Sequence, residues 1–112
     1  MIAHIVLFKP KADLSEDQRG RFLDAMREAH ASIPQIRRFV VGTRVQTGRP
    51  YAALARQFPF FAMLEFDARE DHEAYLTHPA HERLSLGFYQ ASEAAEAYDF
   101  DVAEMPHALA SL

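Results

Sequence analysis

Residues 2 to 9 read IAHIVLFK, a short and mostly apolar run that Pro10 ends. The length of the run and its β-branched residues predict a strand. Alternate side chains of a strand point to opposite faces. The two sets here are Ile2, His4, Val6 and Phe8 on one face, and Ala3, Ile5 and Leu7 on the other. Both sets are largely apolar, so this strand has to be covered on both sides.

The rest of the chain alternates helical and extended patterns around this strand. Ser15 and Gln18 predict a capping box that starts a helix, and apolar residues at helical spacing continue the helix to Pro34. The remaining predictions are a strand over 36–47, a loop over 48–57, a strand over 58–66, helices over 70–76 and 79–91, and a strand over 97–102. This order predicts an α+β, ferredoxin-like βαββαβ sandwich with a four-stranded antiparallel sheet, in one domain over 1–103 followed by a tail over 104–112.

An antiparallel sheet that helices cover on one face normally has a polar second face. Here the strands over 2–9 and 58–66 are apolar on both faces, and the chain has no further element to cover the second one. We therefore expect a homodimer, a dimeric α/β barrel in which two sheets pack face to face. We expect the two subunits to enclose a cavity that His4 and His81 overlook.

The composition limits the classes of partner. The chain has 112 residues, a net charge of −4 and no cysteine, which excludes disulfides and thiolate metal ligands. Its charges are mixed along the chain and form no basic stripe, so nucleic acid is disfavoured. The apolar runs are too short to span a bilayer, and the first residues look like a strand, so we expect a cytoplasmic protein with no membrane partner.

The six histidines differ in their surroundings. His72 and His107 lie in polar segments and are expected in solvent, and His30 is expected at the border of the core. His4 lies in the middle of an apolar strand face, where a buried imidazole needs a hydrogen-bond partner. It is either a core histidine bound to a neighbour or a polar group that lines a cavity.

The stretch YLTHPAHERL, residues 75 to 84, contains two more histidines. Pro79 suits the first position of a helix, with Thr77 or His78 at the cap. His81 then falls in the first turn, where the helix dipole lowers the pKa of an imidazole, and a neutral imidazole suits a general base. A proline-interrupted HxxH is a weak metal signal and HExxH is absent, so the sequence predicts no metal site.

Four short motifs resemble one known family. They are HIVLFK at 4–9, IPQI at 33–36, LEFD at 64–67 and AYLTHPAH at 74–81. Together they resemble the stress-responsive A/B barrel domain (Dabb) family over about residues 2–102, which implies a dimeric ferredoxin-like barrel. The family includes olivetolic acid cyclase, a plant polyketide cyclase that needs no metal or organic cofactor. Carried over by motif, the resemblance implies that His4, Tyr75 and His81 are catalytic, while Met26 stands where that enzyme has a tyrosine.

The functional hypothesis is cyclase or lyase chemistry on a poly-keto or aromatic small molecule. His81 would remove a proton next to a carbonyl, Tyr75 would orient it or donate a hydrogen bond, and His4 would hold the carbonyl oxygen. The predicted pocket residues are Met26, Phe61, Met63, His78 and Phe88. Two alternatives stay open: a stress-response protein that binds a small apolar ligand without catalysis, and a cofactor-free monooxygenase.

Overall fold

The computed structural model describes residues 1–112 as a four-stranded antiparallel sheet with helices on one face. The sheet order is β2-β3-β1-β4, and every pairing is antiparallel. In chain order the elements are β1 (Ile2–Pro10), α1 (Glu16–Ser32), β2 (Arg38–Thr43), α2 (Pro50–Leu54), β3 (Phe60–Phe66), α3 (Arg69–Leu76), α4 (Pro79–Ala91), β4 (Ser92–Asp101) and a 3₁₀ turn (His107–Leu109). The ferredoxin-like α+β fold is confirmed.

The helix boundaries follow from local sequence signals. The Gln18 N–H donates to the Ser15 hydroxyl at 3.1 Å, and the Ser15 N–H donates to the Gln18 side-chain oxygen at 2.9 Å. This is the predicted capping box, and α1 ends at Ser32, shortly before Pro34. Helix α4 begins at Pro79, as predicted, and it passes into β4 with no residue between the two elements.

Three segments differ from the prediction. The strand predicted over 36–47 is shorter in the structure, where β2 spans Arg38–Thr43. The segment 48–57, predicted as a loop, contains the short helix α2, because Pro50 occupies its first turn and the Arg44 guanidinium donates to the carbonyl oxygens of Ala52 and Arg56 at 3.0 and 2.7 Å. Strand β4 starts at Ser92 instead of residue 97. Its first residues, SEAAEA, favour a helix locally, but they pair with β1, so tertiary pairing overrides the propensity.

The core lies between the sheet and the helices. Its largest fully buried side chains are Tyr75, Phe66, Ile33, Leu64 and Leu84. Each contributes about 1.5–3 kcal/mol relative to an exposed position. The face of β1 that carries Ile2, Val6 and Phe8 packs into this core, as the alternation of the strand predicts.

Helices α1, α3 and α4 leave the opposite face of the sheet uncovered, although the segment that contains α2 borders one end of it. We call this opposite face the open face, and its larger apolar side chains are Ile5, Leu7, Val40, Phe61, Met63, Tyr98 and Phe100. Tyr98 and Phe100 are 45% and 52% exposed. The prediction that both faces are apolar is confirmed. None of the helices combines the length and the apolar character needed to cross a membrane.

Candidate functional site

Three side chains named by the sequence lie close together on the helix side of the sheet. His4 comes from β1, Tyr75 from the end of α3 and His81 from the first turn of α4. The ring centroids of His4 and Tyr75 are 6.0 Å apart, and those of Tyr75 and His81 are 4.5 Å apart. The structure therefore brings the predicted trio together, while its catalytic role stays a prediction.

The two-residue connection between α3 and α4 sets the relative positions of Tyr75 and His81. The Thr77 hydroxyl lies 3.3 Å from the carbonyl oxygen of Ala74, which supports the end of α3. His78 caps α4, because its Nδ1 accepts a hydrogen bond from the Ala80 N–H at 3.0 Å, and Pro79 follows at the first helical position. The His78 ring is thus held by the cap, and its predicted contact with a ligand stays a prediction.

His81 is held as a neutral imidazole. Burial lowers its pKa below the ordinary value of 6.5, and the positive charge of His4 lowers this pKa further. The backbone carbonyl of Leu76 and the carboxylate of Glu82 act in the opposite direction. Nδ1 of His81 is buried and has no hydrogen-bond partner. A neutral ring with a free nitrogen is the state in which an imidazole accepts a proton.

Tyr75 remains a protonated phenol. Its side chain is 2% exposed and packs against Phe66, with ring centroids 5.0 Å apart. Burial raises the pKa of Tyr75 well above the usual range, and the negative charge of Asp99 raises it further. Because the hydroxyl keeps its proton, it is suited to donate a hydrogen bond, and it does not act as a base at neutral pH.

Asp99 is a site residue that the sequence analysis did not select. His4 and Asp99 face each other across β1 and β4, and His4 Nδ1 lies 2.6 Å from Asp99 Oδ1. A carboxylate only accepts, so Nδ1 of His4 carries the proton and donates it. The alternation at 97–102 placed Asp99 opposite Tyr98 and Phe100, but the pairing register was needed to place it beside His4.

His72 was expected in solvent, and that expectation is wrong. Its side chain is 12% exposed, and its Nε2 lies 3.2 Å from Asp99 Oδ1. Its ring packs against Phe66 at a centroid distance of 5.2 Å. The missed signal is helical spacing: His72 and Tyr75 are three residues apart on α3 and share its buried side, although charged residues flank His72 in sequence.

The predicted apolar pocket divides between the two faces of the sheet. Met26 and Phe88 pack against the core on the helix side. Phe61 and Met63 lie on the open face, because Ala62 and Leu64 alternate with them toward the helices. His4 also points toward the helices, so a second copy on the open face would not enclose it. The predicted cavity between two subunits with both imidazoles facing it is therefore wrong.

Two cavities lie away from this trio. One of about 780 Å³ runs between α1 and α4, where Phe22 and Gly87 line it. The other, of about 470 Å³, lies on the open face between Leu7, Phe61 and Arg56. Neither is lined by His4, Tyr75 or His81.

Comparisons with known proteins agree with the ferredoxin-like fold of this chain. The model of the stress-responsive A/B barrel domain family, Dabb, matches residues 2–102. The chain belongs to the Dabb family. No curated protein shows significant sequence similarity to this Dabb protein.

Several solved structures are similar to this Dabb protein. A hydroxynitrile lyase from Passiflora edulis has a TM-score of 0.78 and 18% identity, covering 93% of this chain and 94% of that one. A dimeric ferredoxin-like protein of unknown function from Thermobifida fusca has a TM-score of 0.67 and 22% identity, covering 90% of both chains. A dimeric ferredoxin-like protein of unknown function from Bacteroides fragilis has a TM-score of 0.60 and 26% identity, covering 90% of this chain and 95% of that one. These similarities show the shared fold.

Proposed function

We propose that this Dabb protein is a homodimeric enzyme that abstracts a proton next to a carbonyl group, as a cyclase or lyase of a poly-keto or aromatic small molecule. The observation that carries the proposal is His81, a half-buried imidazole with a lowered pKa whose ring centroid is 4.5 Å from that of Tyr75, on the same side of the sheet as His4. A base with a lowered pKa beside a phenol that stays protonated is the pairing that general acid–base catalysis requires.

In the proposed reaction, His81 takes a proton from a carbon beside a carbonyl, and the electron pair of the C–H bond moves onto the carbonyl oxygen as an enolate. The Tyr75 hydroxyl donates a hydrogen bond to that oxygen, and Asp99 orients His4 through its Nδ1. His4 donates a second hydrogen bond to the oxygen from Nε2 in the form of its ring that is protonated on both nitrogens. The enolate carbon then attacks a second carbonyl carbon of the same molecule. His81 returns its proton to the alkoxide that forms, so the ring closes without net gain or loss of protons.

The lyase reaction would use the same base. His81 would take the hydroxyl proton of a 2-hydroxynitrile while the bond to the nitrile carbon breaks and its electron pair leaves on cyanide. The protonated His81 would then give this proton to the cyanide, so that a carbonyl compound and hydrogen cyanide are released and the base is neutral again. The structural similarity to a hydroxynitrile lyase supports a test of this substrate class. At 18% identity that similarity concerns the fold, so the substrate has to be established on this chain.

The homodimer is proposed from the open face. Its seven larger apolar side chains include two large aromatics that are about half exposed, Tyr98 and Phe100. Exposed contiguous apolar surface of this kind marks an interaction site, and a second copy offers the same surface for a symmetric contact. The proteins from Thermobifida fusca and Bacteroides fragilis that share the fold are dimeric.

The test is turnover by the purified protein of two substrates, a linear 3,5,7-triketo ester and an aromatic 2-hydroxynitrile. We expect ring closure, seen by liquid chromatography and mass spectrometry as a new isomer and its dehydrated aromatic product, or release of an aromatic aldehyde, seen by absorbance, at rates above buffer alone. His81→Ala should abolish it, and His30→Ala, an exposed histidine on α1, is the matched control. Full activity of His81→Ala would overturn the mechanism.

The same preparation separates the alternative functions. Saturable binding of these molecules without turnover would favour a ligand-binding protein over an enzyme. Oxygen consumption with a quinol substrate would favour a monooxygenase instead. Either result would overturn the proposed proton abstraction.

A further inference from the structure

His72 has no part in the proposed proton transfer, yet it is held next to two residues that do. His4, His72 and Asp99 each offer one atom that can bind a metal ion, and these three atoms all lie within 4.8 Å of one another. They come from three separate elements, β1, α3 and β4. The sequence prediction of no metal site considered only local spacing such as HxxH, and a site assembled from distant segments leaves no such signal.

The ligand atoms are close enough for small side-chain movements to bring them around one metal ion. His4 Nδ1 lies 2.6 Å and His72 Nε2 lies 3.2 Å from Asp99 Oδ1. Ligand atoms that each stand about 2.0–2.2 Å from a tetrahedral zinc ion are roughly 3.3–3.5 Å from one another. Rotation of the Asp99 side chain, which is 51% exposed, would lengthen the 2.6 Å distance between His4 Nδ1 and Asp99 Oδ1 to about 3.3–3.5 Å. The exposed carboxylate also provides a path for an ion from solvent.

His72 lacks the hydrogen bond that its burial requires. Its Nε2 is buried and has no hydrogen-bond partner, although the Asp99 oxygen is 3.2 Å away, because the contact is not directed along the ring N–H. A buried polar group without a partner costs about 1–3 kcal/mol. A cation between His72 and Asp99 would satisfy this nitrogen and the negative charge of the carboxylate together.

We propose that His4, His72 and Asp99 bind one divalent first-row transition metal ion of the Zn²⁺ or Co²⁺ type. Two imidazole nitrogens and one carboxylate oxygen suit these ions, whereas Mg²⁺ and Ca²⁺ prefer oxygen ligands throughout. Three protein ligands leave at least one coordination position for water. The ion would replace the proton that His4 shares with Asp99, so metal binding and the His4–Asp99 hydrogen bond exclude each other.

The test measures metal binding without any substrate, so its result is independent of the proposed function. Tag-free protein, stripped of metal with a chelator, is titrated with Zn²⁺ by calorimetry and with Co²⁺ by visible absorption. We expect one ion per chain and a cobalt absorption band typical of nitrogen and oxygen ligands. His72→Ala and Asp99→Asn should each lower the affinity at least about 100-fold, since even the loss of a residue that only supports a ligand costs 10- to 100-fold.

Matched controls separate the site from the other histidines and acids of the chain. His30→Ala removes an exposed imidazole, and Asp101→Asn removes a carboxylate two residues from Asp99 on the same strand face, so both should bind like the wild type. His72→Gln preserves side-chain size and replaces His72→Ala if the smaller residue unfolds the protein. The proposal is overturned if no ion binds at one equivalent, or if the His72 variants bind as tightly as the wild type.

Discussion

The helix-covered face of the sheet carries polar side chains that are usually exposed, and the open face carries apolar side chains that are usually buried. The helix-covered face holds His4, His72 and Tyr75 against fully buried Phe66, while Asp99 approaches them from β4. The open face leaves Tyr98 and Phe100 half exposed. Polar groups within a core point to chemistry, and apolar groups in water point to a partner. The candidate site and the candidate dimer contact therefore lie on opposite faces of the same sheet. Substitutions on one face can be made without altering the side chains on the other.

The largest expected effect comes from the core that supports the helix-side cluster. Phe66→Ala should lower the free energy of unfolding by about 3–5 kcal/mol, because the ring is fully buried and its removal leaves a cavity beside His72 and Tyr75. Denaturant unfolding measures this. Phe100→Ala on the open face is the matched truncation. It should lower the free energy of unfolding of a single chain by clearly less, because Phe100 is half exposed there. Equal losses would contradict the difference between the faces.

The next effect concerns a single hydroxyl. Tyr75→Phe should lower kcat about 10²- to 10³-fold, as loss of one hydrogen-bond donor to a developing oxyanion does, and it keeps the ring that fills the core. Steady-state kinetics with the cyclised or cleaved substrate measure it. Tyr89→Phe removes an exposed hydroxyl on α4 and should leave kcat unchanged. An active Tyr75→Phe enzyme would remove Tyr75 from the mechanism.

A smaller effect is expected when a charge is placed on the open face. Tyr98→Asp should weaken the dimer by about 2 kcal/mol, roughly 30-fold in the dissociation constant, because an interface aromatic is lost and a carboxylate is buried in its place. Sedimentation across a concentration series measures the shift. Tyr89→Asp, on the helix side, should not change it. A wild-type chain that remains monomeric at all concentrations would show that a second copy does not cover the open face.

The smallest effect is the pH dependence of stability that His81 causes. Its pKa is lower in the folded chain than the ordinary 6.5, so between these two values the unfolded chain binds more protons than the folded one. Stability therefore rises with pH through this window and is fully present above it. His81→Gln should flatten the dependence of the unfolding free energy below pH 6.5, while His30→Gln, which changes an exposed ring, should not. Turnover should also persist below pH 6.5, and an acid limit above that value would contradict a lowered pKa.

Local sequence signals predicted most of the fold and part of the site. The capping box at Ser15, the proline at position 79 and the two apolar faces of β1 all act through neighbours in the chain, so a single sequence is enough to read them. His81 was inferred from its place in the first turn of α4, whereas Tyr75 was named as a site residue only because its motif resembles that of the Dabb family. Each of these predictions depends on residues a few positions apart.

The missing part of the site depends on long-range pairing. Asp99 meets His4 only because β4 pairs with β1 in one particular register, and His72 joins them only because α3 packs against that edge of the sheet. Helix propensity gave a wrong prediction for the start of β4, because alanine and glutamate favour helices when no strand is available to pair with them. Sheet register and helix docking are tertiary properties that local spacing does not encode.

The direct passage from α4 into β4 makes the chain intolerant of length variation at one point. Because Ser92 follows Ala91 without a spacer, one inserted or deleted residue there would shift every later side chain of the strand to the opposite surface. Asp99 would then leave the imidazoles, and an aromatic ring would take its place. Homologous chains should therefore accumulate insertions in the segment 48–57 and conserve their residue count between Pro79 and Asp101.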